Sequence, residues 1–230
     1  MSGGRIPGRG WNATLPHMGD EHQSGQPTPA ALIESLLEGN HRFRSGIRMA
    51  RDLPEDVAAH AGGQRPPIAF VGCIDSRAAP ELVFDMGIGQ AFDVRLAGAI
   101  VDDAAIGSLE YAFGAAGAVL LVVLGHTGCG AVKAACDVAA GVDVGGDRLR
   151  HLEAVVDPIL EAVEAETETS TDRNSSNDAF VDRVAELNVH RTMMDLRERS
   201  NLLEELVQQD RIAIVGAMYD VRTGEVRILD

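Results

Sequence analysis

With 35 acidic against 20 basic residues, this 230-residue chain carries a formal charge of −15, which excludes nucleic acid and anionic membrane surfaces as expected partners. No apolar stretch approaches the roughly 20 residues a membrane span needs, and Arg5 and Arg9 are followed by no apolar core, so neither a span nor a secretory leader is expected. Three cysteines make no disulfide framework, and an apolar share of 45% suffices for one sizeable core, so the expectation is a cytoplasmic protein with reduced thiols.

Residues 1–27, rich in Gly, Pro, His and Gln, read as a mobile arm ahead of a single α/β domain over 28–230. Thr28-Pro29 reads as an N-cap followed by proline at the first helical position. Leu32, Ile33, Leu36 and Leu37 then share a face, with Phe43 further along, and Gly46 closes the helix. Four apolar runs read as buried strands: 68–71, 91–96, 119–124 and 211–217. Their continuous hydrophobicity is what a parallel sheet covered on both faces demands. Between them, Asp102 or Asp103 caps a helix with Ile106, Leu109 and Phe113 on its inner side, and another helix runs from Gly130 through Ala140. The run 164–178 is polar and low in complexity, and reads as a solvated loop. Residues 221–230 alternate after an Arg-Thr-Gly turn and are predicted as an antiparallel edge strand. The fold class is therefore α/β: a mainly parallel four-stranded sheet with one antiparallel edge strand, flanked by helices. Ligands of such sheets collect at the carboxyl ends of the strands.

Two turns at such ends carry chemistry. In "VLLVVLGHTGCGAVK", Gly125 and Gly130 have the spacing of a phosphate-binding loop, but Ala131 and Val132 occupy the two positions that would do its work. Lys133 comes two residues late, which turns it about 200° around a helix. His126 and Cys129, three apart, can instead converge on one metal ion, although alone such a pair is more often ordinary turn and core. The stretch "FVGCIDSRAAPE" follows another short apolar run and sets Cys73, Asp75 and Arg77 at alternate positions. Two strand ends in one parallel sheet could thus complete a Cys-His-Cys set, and three protein ligands with one position to spare is the pattern of a catalytic zinc.

"CIDSR" with "HTGC" resembles the paired signature of the β-class carbonic anhydrases. The similarity extends through "LLEGNHRFRSG", "FDMGIGQAFDVRLAGAIVDDAAIGSLEYA", "LNVHRTMMDLRERSNLLEEL" and "IAIVGAMYDVRTGEV", leaving out only the arm and the polar loop. The resemblance implies one Zn²⁺ per chain on Cys73, His126 and Cys129, and reversible hydration of carbon dioxide to bicarbonate and a proton. Asp75 and Arg77 form the family's dyad: Asp75 either takes the fourth zinc position and idles the site, or pairs with Arg77 so that water enters, loses its proton and attacks carbon dioxide. Gly87 stands where some members carry glutamine, which points to the bacterial branch whose site can close. That branch binds inhibitory bicarbonate at positions matching Phe70, Arg95 and Tyr219, but phenylalanine lacks the indole donor of tryptophan. Leu96 replaces a frequent asparagine. A homodimer or dimer of dimers is implied as well. Cys136, two helical turns after Cys129, is expected to be a small buried hydrophobe, and His17, His22, His41, His60, His151 and His190 surface or cap residues. Hydrolysis of carbonyl sulfide or carbon disulfide on the same scaffold, and a non-catalytic zinc-stabilised sensing protein, stand as alternatives.

Overall fold

Thr28 opens the first helix, α1 (Pro29–Ser45), by accepting a hydrogen bond from the Ala31 amide, and Gly46 closes it in the left-handed conformation at φ 69°. The computed structural model describes residues 27–229; the expected arm lies outside them apart from Pro27. After α1 come α2 (Leu53–His60) and the short α3 (Pro80–Val83), neither of which the sequence pattern marks. Asp102 caps α4 (Asp103–Gly114), and α5 spans Gly130–Ala139. The chain then continues through α6 (Glu153–Ala165), α7 (Asp178–Arg199) and α8 (Asn201–Gln208). Among the described residues no helix is long and apolar enough to cross a membrane.

The strands are β1 (Ile68–Gly72), β2 (Ala91–Arg95), β3 (Leu120–His126), β4 (Ala213–Tyr219) and β5 (Val226–Ile228). They lie in the order β2-β1-β3-β4-β5, with β1 to β4 mutually parallel and β5 antiparallel to β4. Every residue of β1 and β3 is buried, which accounts for their unbroken apolar sequence. Side chains alternate across the pleat. Ala69, Val71, Leu121 and Val123 meet the larger core, built with α4 to α8, while Ile68, Phe70, Leu120 and Val122 meet a smaller core under α1 and α3.

β5 is shorter than the alternation at 221–230 predicts. Asp220 accepts hydrogen bonds from the amides of Arg222 and Thr223 at 2.7 and 3.2 Å, and Gly224 takes φ 77°, so the first half of that run is a turn. Leu37, expected on the inner face of α1, is 38% exposed. The segment between α6 and α7 also departs from a purely solvated loop. Glu166 is buried, accepting from the Thr169 hydroxyl at 2.8 Å and pairing with Arg173 at 2.5 Å and Arg183 at 2.9 Å. A buried carboxylate persists only when it is paired in this way.

A second buried carboxylate ties α1 to α3. The Asp85 side chain is fully enclosed and meets Arg42 at 2.7 Å, Arg51 at 2.8 Å and Arg48 at 3.3 Å, with the Met49 amide donating at 3.1 Å. Burial would raise its pKa, but Arg42, Arg51 and the Met49 amide outweigh that and hold the carboxyl well below the usual range.

Candidate metal centre

Parallel register delivers the carboxyl ends of four strands to one edge of the sheet. Gly72 of β1 lies opposite both Arg95 of β2 and Leu124 of β3, and His126, the last residue of β3, lies opposite Tyr219 of β4. Cys73 follows β1 directly, and Cys129 is the residue from which α5 starts. Their order in the sheet therefore carries Cys73, His126 and Cys129 to one place although they are far apart in the chain.

Their ligand atoms all lie within 4.8 Å of one another, and all three residues are buried. The two sulfurs stand 3.9 Å apart, and both thiols are free. A tetrahedral ion with Zn–S bonds of about 2.3 Å would set its two sulfurs about 3.8 Å apart. His126 Nδ1 lies 3.0 Å from the Thr127 carbonyl, an acceptor, so Nδ1 carries the proton and Nε2 is the free lone pair. That Nε2 is buried and has no hydrogen-bond partner. A buried nitrogen without a partner beside two thiols is costly unless an ion satisfies it. The donor set fits zinc.

The hydrogen bond between the two sulfurs lowers the pKa of the Cys73 thiol despite its burial, and the same contact, with burial, raises that of Cys129. The Gly98 amide donates to the Cys73 sulfur at 3.3 Å, adding to that lowering. Burial lowers the basicity of His126, but contact with Cys73 more than offsets this and leaves its pKa raised.

Asp75 and Arg77 stand at the rim. The Asp75 carboxylate receives Arg77 Nε at 2.9 Å, Nη2 at 2.6 Å and the Arg77 amide at 2.9 Å. Its Oδ2 is also 3.8 Å from His126 Nε2, so the carboxylate borders the Cys-His-Cys cluster while held by the guanidinium. This forked pair keeps the Asp75 carboxyl well below the usual range. Tyr219 is buried, and its pKa is raised by that burial and by the charge of Asp220; the Asp75 and Arg77 charges also act on it.

Arg95 reaches over the turn after β1, donating from Nε to the Cys73 carbonyl at 2.8 Å and from Nη2 to the Asp75 carbonyl at 2.6 Å. Phe70 is fully buried and stacks on Phe84 with ring centroids 5.3 Å apart, so it offers an apolar face with no donor. Leu96 packs on the larger core, and its amide donates to the Gly72 carbonyl. Gly87 lies under Arg51: a Cβ there would stand 3.0 Å from Arg51 Nε. Cys136 is wholly inside the larger core, where burial pushes its thiol up to about 12, and it stands apart from the cluster.

Sequence reasoning missed the residues that hold the turns. Gly98 lies in a short turn at φ 78°, where a Cβ would meet Ile159 Cδ1 at 2.6 Å. Asn188 donates to the Gly98 carbonyl at 2.8 Å, Thr192 donates to that of Ala99 at 3.1 Å, and the Gly128 amide donates to Asp182 at 2.7 Å. A signal for Asn188 and Thr192 exists: both are polar at helical spacing among the buried residues of α7.

A family model described as carbonic anhydrase matches residues 68–226. Carbonic anhydrase 2 of Mycobacterium tuberculosis is 36% identical over 204 residues, covering 88% of this chain and 93% of that protein. The carbonic anhydrase of Mycolicibacterium smegmatis is 33% identical over 202 residues, covering 87% and 93%. Among solved structures, a β-carbonic anhydrase of Aspergillus fumigatus is similar at TM-score 0.63 and 28% identity, covering 87% of this chain and 89% of that one. With that agreement of sequence, fold and ligand geometry, the chain belongs to the carbonic anhydrase family, and within it to the β class.

Proposed function

We propose that the protein is a zinc-dependent enzyme that reversibly hydrates carbon dioxide to bicarbonate and a proton, with one zinc per chain held by Cys73, His126 and Cys129. The observation that carries this reading is the buried, partnerless His126 Nε2 facing two free thiols 3.9 Å apart. When bound, zinc supplies the Lewis acidity that makes water acidic enough to react near neutral pH.

The chain's own residues supply the rest. Arg77 holds Asp75 through two parallel hydrogen bonds, which keeps the carboxylate turned to the guanidinium rather than to the Cys73, His126 and Cys129 cluster that would hold the zinc. Ionised at any working pH, Asp75 accepts a hydrogen bond and orients the attacking oxygen toward the substrate carbon. If the fork released, the Asp75 carboxylate, 3.8 Å from His126 Nε2, could turn to the cluster and would then serve as a further ligand to a bound zinc. Bicarbonate regulation through Phe70, Arg95 and Tyr219 would require Arg95 to leave the two carbonyls it holds.

The reading includes a reducing, cytoplasmic setting, because Cys73 and Cys129 must stay thiols. It includes a homodimer or dimer of dimers too, supported by α2, which buries none of its residues and leaves Leu53 and Val57 more than half exposed. The deciding experiment is zinc stoichiometry together with hydration of carbon dioxide across pH, run beside headspace assays of carbonyl sulfide and carbon disulfide. One zinc per chain and carbon dioxide turnover well above buffer is the expected result. Turnover of the sulfur gases alone, or a zinc-loaded protein that turns over none of the three, would overturn the reading.

A further inference from the structure

His126 turns Nε2 toward the thiols while its other ring nitrogen, Nδ1, donates to the Thr127 carbonyl at 3.0 Å. That carbonyl belongs to the peptide unit between Thr127 and Gly128. The N–H at the far end of the same unit donates to Asp182 Oδ1 at 2.7 Å. A trans peptide points its N–H and C=O to opposite sides, and resonance across the C–N bond couples the two. Asp182, on α7, is therefore joined to the imidazole by two hydrogen bonds and one planar, conjugated group.

The surroundings hold this peptide in place and leave the carboxylate to it. The Thr127 amide donates to the Tyr219 carbonyl at 3.0 Å, and the Val221 amide donates to Thr127 Oγ1 at 3.1 Å, so the turn is fixed against β4 and the segment after it. Gly128 precedes the residue from which α5 starts, so its N–H lies outside that helix and needs an acceptor elsewhere. Asp178, one helical turn before Asp182, divides its charge between Lys133 and Arg222, each at 3.0 Å. Among the described residues Asp182 has no such ion pair, and the Gly128 amide is the partner of its carboxylate.

A negative charge against the N–H draws electron density toward the carbonyl oxygen of the same peptide, which becomes a stronger acceptor for the Nδ1 proton. An imidazole whose Nδ1–H is held more tightly has a more basic Nε2; carboxylates beside metal-binding histidines act in this way by direct contact. We propose that Asp182 is a positioning residue that acts on His126 through the 127–128 peptide, fixing the direction of the ring and strengthening Nε2 as a donor to the metal. The proposal deepens the functional reading and rests on it for the metal. Polarisation carried along hydrogen bonds amounts to about 10–30% per bond, so the sensitive readout is a spectrum rather than a rate.

The test uses the full-length protein with ¹⁵N-labelled histidine, zinc-loaded and metal-free, at one fixed pH. Long-range ¹H–¹⁵N correlation reports His126 Nδ1, and competition with a chelator reports zinc affinity. Asp182→Asn keeps an oxygen for the Gly128 amide but removes the charge, whereas Asp182→Ala removes both. The Nδ1 resonance should move in Asp182→Asn and move further in Asp182→Ala. Zinc affinity should fall by about 10-fold in Asp182→Ala, the low end of the usual effect of an outer partner, and by less in Asp182→Asn. Asp178→Asn, which disturbs the two exposed ion pairs on the same helix, should leave both readouts unchanged. An Nδ1 resonance unmoved in Asp182→Asn, an equal movement in Asp178→Asn, or unaltered zinc affinity in Asp182→Ala would overturn the proposal. Failure of the unaltered protein to take up zinc would sink the functional reading instead, and the metal-free Nδ1 comparison would still decide this one.

Discussion

Both oxygens of Asp75 are taken by one guanidinium: Arg77 reaches Oδ1 with Nε at 2.9 Å and Oδ2 with Nη2 at 2.6 Å. The Oδ2 so held is only 3.8 Å from the nitrogen that His126 turns toward the two thiols. The fork therefore decides whether this carboxylate faces the guanidinium or the cluster. Arg77→Ala is expected to keep zinc while activity falls by about 10- to 100-fold, the usual cost of losing an outer partner of a metal site. The fall should persist at alkaline pH, because no arginine remains to draw Asp75 away. Stopped-flow hydration with metal analysis on the same sample checks it, and normal rates in the variant would remove the gate.

Cys73→Ser replaces a sulfur whose pKa is lowered by its neighbours with a hydroxyl that stays protonated. Zinc should drop far below one per chain in atomic absorption, and hydration should fall to the buffer rate. A variant that retained full metal would take Cys73 out of the ligand set.

Asn188 links a long helix to the turn whose amide touches the Cys73 sulfur. Asn188→Leu leaves the Gly98 carbonyl without its buried partner, at a cost of about 1–3 kcal/mol. At roughly 2–4 °C per kcal/mol for a chain of this size, the loss is readable in a thermal melt. Competition with a chelator should show weaker zinc retention as well, which a defect elsewhere in α7 would not produce.

Acid should unfold the protein through two enclosed carboxylates. The pKa values of Asp85 and Glu166 are both depressed; burial opposes this in each case, and their arginine partners, with the hydrogen bonds from the Met49 amide to Asp85 and from Thr169 to Glu166, outweigh it. A depressed carboxyl stabilises the fold fully above its unfolded value, and that contribution disappears as pH drops below about 4. Their contribution to the melting temperature should therefore fall away steeply as pH drops below about 4. Asp85→Ala strands three guanidiniums at neutral pH and is expected to cost about 3–5 kcal/mol, measurable by urea titration.

The candidate site was legible because its residues are packed into two short local motifs. Cys73, Asp75 and Arg77 sit within one pentapeptide and His126 and Cys129 within one tetrapeptide, each placed after an apolar run whose continuity announces a parallel strand. Glu166 was not legible: its partners, Arg173 and Arg183, lie in the next loop and helix, and nothing local separates a buried glutamate from its solvated neighbours. β5 was overextended because Asp220 uses its side chain to fold the start of the alternating run into a turn.

The candidate ligands Cys73 and His126 sit at the ends of neighbouring strands but are separated by more than fifty residues of chain. During synthesis at 5–20 residues per second, the thiol of Cys73 emerges from the ribosome roughly 3–10 s before His126 and Cys129 do. No short loop can trap the ion early, in contrast to zinc fingers that fold around theirs. An ion held by these residues would have to wait until β1 and β3 have found one another, and a nascent chain in oxidising surroundings would expose the Cys73 thiol to damage before its partners arrive.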